Sequence, residues 1–158
     1  ELAQQRQELE KLVKNLSGIS VKSGEKGNYI VLEDKILFDL GEATLNDQAK
    51  QSLDSIADYL ANKTQQQIRI DGHTDGVPIT RTEWQDNYHL SAMRAHAVFS
   101  YLKSKGIPAG RMHIAGFGPN KPRVEPPKPE APVAKNRRVE ILLMPKEENI
   151  EELLKEFK

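Results

Sequence analysis

The sequence predicts a single α+β domain in which two helices pack on one face of a mixed sheet. The chain has 158 residues, a length typical of one domain, and its 37% hydrophobic and 29% charged residues suit a globular protein. Extended β-branched segments alternate with amphipathic helical segments in the order βαβαββ. This order favours one mixed sheet with its helices on a single face.

The first predicted element is a helix over ELAQQRQELEKLVKNL, before the βαβαββ series. Its apolar residues recur near the helical period and form a narrow stripe: Leu2, Leu9, Leu12, Val13 and Leu16. A helix of about 16 residues is marginal alone. The stripe therefore needs a partner, either the domain itself or a second copy of the chain.

Four segments predict the strands. GNYIVLEDKILFDLG is β-branched and aromatic between turn residues, which predicts a strand followed by a short extended piece. QQIRIDG alternates Ile68 with Ile70 as a strand does. RMHIAGFG and NRRVEILLM predict the last two strands, and the second of these alternates Val139, Ile141 and Leu143.

Two segments predict the helices that cover the sheet. NDQAKQSLDSIADYLANK begins with the capping residues Asn46 and Asp47 and has one apolar face: Ala49, Leu53, Ile56, Ala57 and Leu60. NYHLSAMRAHAVFSYLKSKG predicts the second helix, which Gly106 can end.

The connections also carry information. GPNKPRVEPPKPEAPVAK contains six prolines, which exclude regular structure and predict a stiff exposed loop, with a Pro-rich recognition motif as the alternative. The tail PKEENIEELLKEFK places apolar residues at helical spacing and predicts a short C-terminal helix: Ile150, Leu153, Leu154 and Phe157.

Composition excludes several functions. Lys plus Arg equals Asp plus Glu at 23 each, so nucleic-acid binding is not expected. The absence of cysteine excludes disulfides, thiolate zinc sites and thiol nucleophiles. No apolar run approaches the roughly 20 residues of a membrane span, and Glu1 begins the chain without a signal-peptide pattern, so we expect an excised soluble piece.

The second helix contains a charged residue where an apolar one is expected. Leu90, Arg94, Val98 and Leu102 fall on one i, i+4 row, so Arg94 must be paired or must face a pocket. Asn87 lies near the same row and near the helix start, where free backbone N–H groups favour an anion. A ligand carboxylate would suit this position.

Asp75 supplies the opposite charge. Its segment, IRIDGHTDGVPI, leads through a loop into the second helix, so Asp75 could approach Arg94. An acid and a guanidinium on one cleft complement a zwitterion, since Asp75 can bind an ammonium and Arg94 a carboxylate. The competing interpretation is a buried salt bridge between the two with no ligand.

Catalysis has weaker support. Asp71, His73 and Asp75 alternate and could bind a metal, but Gly72 weakens the strand and no second cluster supplies further ligands. The other histidines are scattered and fit no H-E-x-x-H spacing, and no Ser, His and acid arrangement is recognisable. We expect a non-enzymatic protein without a cofactor, and keep a metallohydrolase as a distant alternative.

Five motifs carry a family resemblance: ILFDLGEATL, IDGHTDGVPI, NYHLSAMRA, GFGPNKP and NRRVEI. In order and spacing they resemble the OmpA-like peptidoglycan-binding domain, from about Ile30 to Met144. HTDGVPI followed by Trp84 and a long gap to Asn87 is similar to the MotB and PomB family of flagellar stator proteins. The resemblance implies an OmpA-like βαβαββ sandwich that binds the diaminopimelate-containing stem peptide of peptidoglycan.

The resemblance also implies site residues. The ligand-contacting acid and arginine of the family fall on Asp75 and Arg94. Supporting positions fall on Asp39, Thr74, Asn87, Leu90 and Arg138. Two of these have simpler alternatives, because Asp39 can brace the turn FDLGEAT and Asn87 can cap the helix.

Domain organisation and partners follow from the same resemblance. It implies a linker helix over residues 1–18 and the binding domain over 19–145. The C-terminal helix over 146–158 and the proline-rich RVEPPKPEAPVAK depart from the family pattern. The implied partners are peptidoglycan, a second copy of the chain, a membrane-embedded MotA-like stator subunit and the flagellar P ring. The implied location is the periplasmic part of a single-pass inner-membrane protein. A general envelope anchor outside the motor is the alternative.

Overall fold

A computed structural model describes residues 2–80, 83–145 and 154–155. The helices are α1 (Leu2–Val13), α2 (Asp34–Leu37), α3 (Asp47–Ala61) and α4 (Asn87–Ser104). The strands are β1 (Ile19–Gly24), β2 (Gly27–Glu33), β3 (Ile68–His73), β4 (Met112–Gly116) and β5 (Arg138–Leu143). The predicted C-terminal helix lies outside the described residues, apart from Leu154 and Lys155.

The five strands form one mixed sheet in the order β1-β2-β5-β3-β4. Only β3 and β4 are parallel, and the other neighbouring pairs are antiparallel. Alternate residues of β3 and β5 point to opposite faces. Ile68, Ile70, Val139 and Ile141 enter the hydrophobic core with α3 and α4. The predicted α+β class, with two helices against one face of a mixed sheet, is confirmed.

One strand was not predicted, and one local prediction was wrong. The segment ISVKSG forms β1, which pairs with β2 across a two-residue turn at Glu25 and Lys26. The alternation of Ile19 with Val21 could have identified this strand, although it is short and mostly polar. The piece after β2, expected to be extended, is the single helical turn α2.

The N-terminal cap was predicted correctly for α3 but not for α4. Asn46 caps α3 as expected, and its side chain accepts a hydrogen bond from the Ala49 N–H at 2.8 Å. The cap of α4 is Asp86, whose carboxylate accepts from the His89 N–H at 2.8 Å. Asn87 is therefore the first helical residue and not the cap.

Close contact between α4 and the sheet depends on glycine. A Cβ built on Gly72 of β3 would lie 1.9 Å from the Ser91 carbonyl oxygen, and one on Gly116 would lie 2.8 Å from the Ala92 Cβ. Because neither position has room for a side chain, α4 lies directly on β3 and β4.

The stripe of α1 packs on its own domain. Leu9 and Val13 are buried in the common core. Glu8 accepts a hydrogen bond from the Tyr59 hydroxyl at 2.8 Å and lies 3.4 Å from the Lys63 ammonium. Helix α1 is thus joined to α3 by both apolar and polar contacts. None of the helices in the described part of the chain is long and apolar enough to span a membrane.

Candidate functional site

A cavity of about 460 Å³ opens where the loop after β3 meets the start of α4. Five residues predicted for the site line it: Thr74, Asp75, Asn87, Leu90 and Arg94. The start of α2 contributes Asp34, and the segment before β5 contributes Pro132 and Arg137. Segments distant in sequence thus form one pocket.

Arg94 is held from two sides. The residue is 3% exposed, its Nη1 pairs with the Asp34 carboxylate, and its Nε donates to the Glu42 carbonyl oxygen at 2.8 Å. The guanidinium carbon lies 4.8 Å from the centre of the Phe38 ring. Burial lowers the pKa of Arg94, and the Asp34 carboxylate opposes that effect. The ion pair with Asp34 and the hydrogen bond to Glu42 hold the guanidinium at the cavity wall.

Asp75 is held by a different arginine. It is 6% exposed, and its Oδ2 accepts from Arg137 Nη1 at 2.6 Å and from the Val133 N–H at 3.1 Å. Its Oδ1 accepts from the Val77 N–H at 3.2 Å. Among the residues that the structure describes, no ion pair joins Asp75 to Arg94, so the predicted alternative of a direct salt bridge between them is not found.

The four charges form a compact group. Arg137 Nε lies 3.9 Å from Asp34 Oδ2, so Arg137 connects the Asp75 and Asp34 carboxylates. Burial raises the pKa of Asp34, and Arg94 acts against that rise. The group, Asp34, Asp75, Arg94 and Arg137, is neutral overall, and we call it the charge quartet. Only the Arg137 side chain is substantially exposed, at 32%.

The remaining predicted residues shape the cavity. The Asn87 amide donates to the Val77 carbonyl oxygen at 3.0 Å and so fixes the loop that carries Asp75. Leu90 is buried and supplies an apolar wall. The Thr74 hydroxyl is buried and has no hydrogen-bond partner within the described residues. A ligand could therefore bond to Thr74.

Asp39 and Arg138 do not reach the cavity. Asp39 is exposed, and its carbonyl oxygen accepts from the Glu42 N–H at 2.9 Å in the turn that follows α2. Arg138 lies on the other face of the sheet, where its Nε donates to Glu140 Oε2 at 2.7 Å. Its neighbour Arg137 takes the position expected for it, because adjacent residues at a strand project to opposite sides.

Strand alternation was the signal that could have found Arg137. Val139 and Ile141 were recognised as core residues, and Arg137 has the same parity, whereas Arg138 has the opposite one. Asp34 gave no comparable signal. It follows β2 in sequence and meets Arg94 only through the tertiary fold.

The residues weighed as an alternative metal site, Asp71, His73 and Asp75, are divided between the two faces. Asp71 and His73 share the face opposite the helices, while Asp75 lies beyond the end of β3 in the cavity. Glu140 takes the third place, and ligand atoms of Asp71, His73 and Glu140 lie within 4.8 Å of one another. The three residues that the sequence suggested as an alternative metal site therefore do not come together, because Asp75 lies on the other side of the sheet.

Comparison with known proteins gives the family. The model of the OmpA family matches residues 37–137, a range that contains most of the cavity. The chain belongs to the OmpA family. Its motifs were therefore assigned correctly from the sequence.

Relatives resemble the chain beyond that range. Motility protein B of Bacillus subtilis is 33% identical over 150 residues, 92% of this chain and 57% of that protein. Peptidoglycan-associated lipoprotein of Rhizobium meliloti is 31% identical over 106 residues, 67% of this chain and 58% of that protein. The chain thus spans little more than half the length of these relatives.

Two solved structures have the same fold. A MotB-like protein from Desulfovibrio vulgaris superposes with a TM-score of 0.82 at 27% identity, covering 92% of this chain and 94% of that one. The cell wall anchor of the T6SS from Pseudomonas aeruginosa gives a TM-score of 0.77 at 27% identity, covering 89% and 99%. The sheet order and helix placement are therefore those of the OmpA-like fold.

Proposed function

We propose that this domain is a non-catalytic anchor that binds the diaminopimelate-containing stem peptide of peptidoglycan. The observation that carries the proposal is the charge quartet, which places both positive and negative side chains on one cavity. The side-chain end of diaminopimelate carries an ammonium and a carboxylate on one carbon, so it needs both signs within a few ångströms.

The charge quartet suggests how the two charged groups of the ligand bind. The ligand carboxylate pairs with Arg94 or Arg137, and the ammonium pairs with Asp75. Because a zwitterion has no net charge, it can exchange with the internal pairs without leaving a buried charge uncompensated. The Thr74 hydroxyl then gains the hydrogen bond that it lacks within the described part of the chain.

The relatives support a more specific role in the flagellar stator. Similarity to Motility protein B over 92% of the chain favours a stator protein held against recoil by the cell wall. In this role the domain lies in the periplasm as part of a single-pass inner-membrane protein that works beside a MotA-like subunit and near the P ring. A homodimer would hold the wall longer, because the second of two modest sites binds at high effective concentration.

A general envelope anchor outside the motor is the second candidate. Similarity to a peptidoglycan-associated lipoprotein and to a T6SS cell wall anchor favours it. It uses the same cavity and differs only in the rest of the protein.

Co-sedimentation with insoluble peptidoglycan sacculi tests the proposal. Wild type is compared with Asp75→Asn and Arg94→Gln, each checked for folding by circular dichroism. The exposed Lys50→Gln on α3 serves as the charge control. We expect wild type and the control to sediment and both cavity variants to remain in solution. Equal sedimentation of all four folded proteins would show that the cavity does not bind the wall.

A further inference from the structure

A second cavity, of about 560 Å³, lies on the face of the sheet opposite the helices. Six cationic side chains line it: Lys22, Lys26, Arg69, Lys121, Arg123 and Arg138. Among the described residues, the carboxylates that line it with them are Asp71 and Glu140. The whole chain has equal numbers of acidic and basic residues, so this excess of positive charge is local.

The deep part of the cavity is electrically balanced. Arg69 makes a two-pronged contact with Asp71, Nε to Oδ1 at 2.7 Å and Nη2 to Oδ2 at 2.9 Å. Arg138 donates to Glu140 Oε2 at 2.7 Å. The excess charge therefore lies nearer the opening, where Lys121 and Arg123 are exposed. An anion that enters meets cations first.

His73 gives the cavity an unused donor. It is 4% exposed and stacks on Phe117 with ring centres 5.2 Å apart. Within residues 2–80, 83–145 and 154–155, neither of its ring nitrogens has a hydrogen-bond partner, and Glu140 Oε1 lies 3.9 Å from Nε2, beyond hydrogen-bond distance. A neutral imidazole carries one N–H, and buried polar groups are usually paired. The missing partner points to a ligand.

A metal ion fits this cavity poorly. Asp71, His73 and Glu140 are close enough to hold one. However, both Asp71 oxygens already accept from Arg69, and Glu140 Oε2 is within 3.0 Å of Lys22 and also bonded to Arg138. A cation would have to displace these groups and would be repelled by the lining. The charge distribution favours an anion.

We propose that this cavity binds an oxyanion of the phosphate class, with the His73 N–H as a buried donor and Lys121 and Arg123 at its opening. Inorganic phosphate carries more charge than a single carboxylate and offers several acceptor oxygens, which matches several convergent cations, whereas a phosphodiester carries one negative charge and pairs with fewer of them. The source can be free phosphate or a phosphodiester in a polymer. The site lies on the opposite face of the sheet from the charge quartet and does not depend on peptidoglycan binding.

The test is nuclear magnetic resonance of protein labelled with ¹⁵N-histidine. Inorganic phosphate and a glycerophosphodiester are titrated into separate samples of the protein. Sodium chloride at matched ionic strength and zinc chloride are titrated as controls. We expect a saturable shift of the His73 signals in at least one phosphate arm. A saturable shift with inorganic phosphate identifies free phosphate as a source, and one with the glycerophosphodiester identifies a phosphodiester.

Matched variants assign the shift to this cavity. The exposed pair Lys121→Gln and Arg123→Gln should weaken binding roughly threefold to tenfold, as expected for two exposed charges. The pair Lys50→Gln and Lys103→Gln, on α3 and α4, changes the net charge by the same amount as the first pair. It should leave phosphate binding unchanged. The proposal is overturned if phosphate moves His73 no more than sodium chloride, if only zinc gives a saturable shift, or if both pairs weaken binding equally.

Discussion

Arg137 Nη1 donates to Asp75 Oδ2 at 2.6 Å, so the acid that the sequence pairs with Arg94 is instead held by the residue next to β5. Arg94 pairs with Asp34. Each charge thus has an internal partner, and the same four groups line one cavity. This arrangement keeps the site folded without a ligand and leaves positive and negative side chains available to a zwitterion.

Variants of the adjacent residues Arg137 and Arg138 should distinguish a role in ligand binding from a role in stability. Arg137→Gln removes the half-exposed partner of Asp75 and should weaken binding to sacculi about tenfold, since a hydrogen bond to a charged group is worth about 1.5 kcal/mol. Stability should fall by about 1–2 kcal/mol, because the buried Asp75 loses its arginine partner and keeps only the Val77 and Val133 N–H donors among the described residues. Co-sedimentation across a range of sacculus concentrations measures the effect.

Arg138→Gln is the matched control. It removes a buried partner of Glu140, leaves Lys22 as the other, and should cost roughly 2–4 kcal/mol of unfolding free energy in urea. The folded fraction should bind sacculi as wild type does. If Arg138→Gln weakened binding and Arg137→Gln did not, the site would be on the other face of the sheet.

Gly72→Ala tests the close contact of α4 with β3. The new methyl group would lie 1.9 Å from the Ser91 carbonyl oxygen, so α4 must shift. We expect a loss of more than about 2 kcal/mol in urea unfolding. Gly110→Ala is the control, because a Cβ there has nothing within 4 Å. Similar stability of the two variants would show that α4 does not need this contact.

Helix α1 should contribute directly to the stability of the domain. Leu9 is fully buried in the core, and Leu9→Ala should cost about 2–4 kcal/mol. Leu2 is 49% exposed, so Leu2→Ala should stay within about 0.5 kcal/mol. Urea unfolding of both variants measures the difference. A small effect of Leu9→Ala would mean that α1 is detached in solution.

His73 should make stability depend on pH. Burial, followed by the Arg138 charge, lowers the pKa of His73 to about 3, well below its ordinary 6.5. The unfolded chain therefore binds a proton that the folded one does not, and stability falls as pH drops through this window. From pH 6.5 to 5 the loss should be about 1.5 kcal/mol.

The variant His73→Gln should lack this part of the pH dependence. Burial also raises the pKa of Asp71 to about 6, and below that pH the folded state binds a proton at Asp71, which has the opposite effect on stability. The measurement is therefore the difference between wild type and variant in urea unfolding at pH 6.5 and 5. An identical pH dependence would mean that His73 takes up a proton in the folded state.

Much of the fold could be predicted because local pattern and burial agree. The helical stripe of α3 and the alternation in β3 and β5 both face the one core that the domain has. Strand β1 was missed because only Ile19 and Val21 are apolar in it, and its pairing with β2 depends on a hairpin turn of ordinary polar residues. Its place in the sheet is set by tertiary contact.

The candidate site could be predicted only in part. Arg94 was visible because a charge interrupts an apolar row, and Asp75 because it complements that charge. Asp34 and Arg137 are acid and base in unremarkable polar contexts, and only folding brings them to the cavity. Which residue pairs with which is decided by three-dimensional distances that a single sequence does not contain.

The most direct test of the zwitterion site compares two soluble stem peptides that differ at one residue, diaminopimelate in one and lysine in the other. Lysine keeps the side-chain ammonium and lacks the carboxylate. Calorimetry should show that wild type prefers the diaminopimelate peptide at least tenfold, and that Arg94→Gln and Arg137→Gln reduce this preference. Equal affinity for both peptides, or a preference unchanged in both variants, would contradict the account.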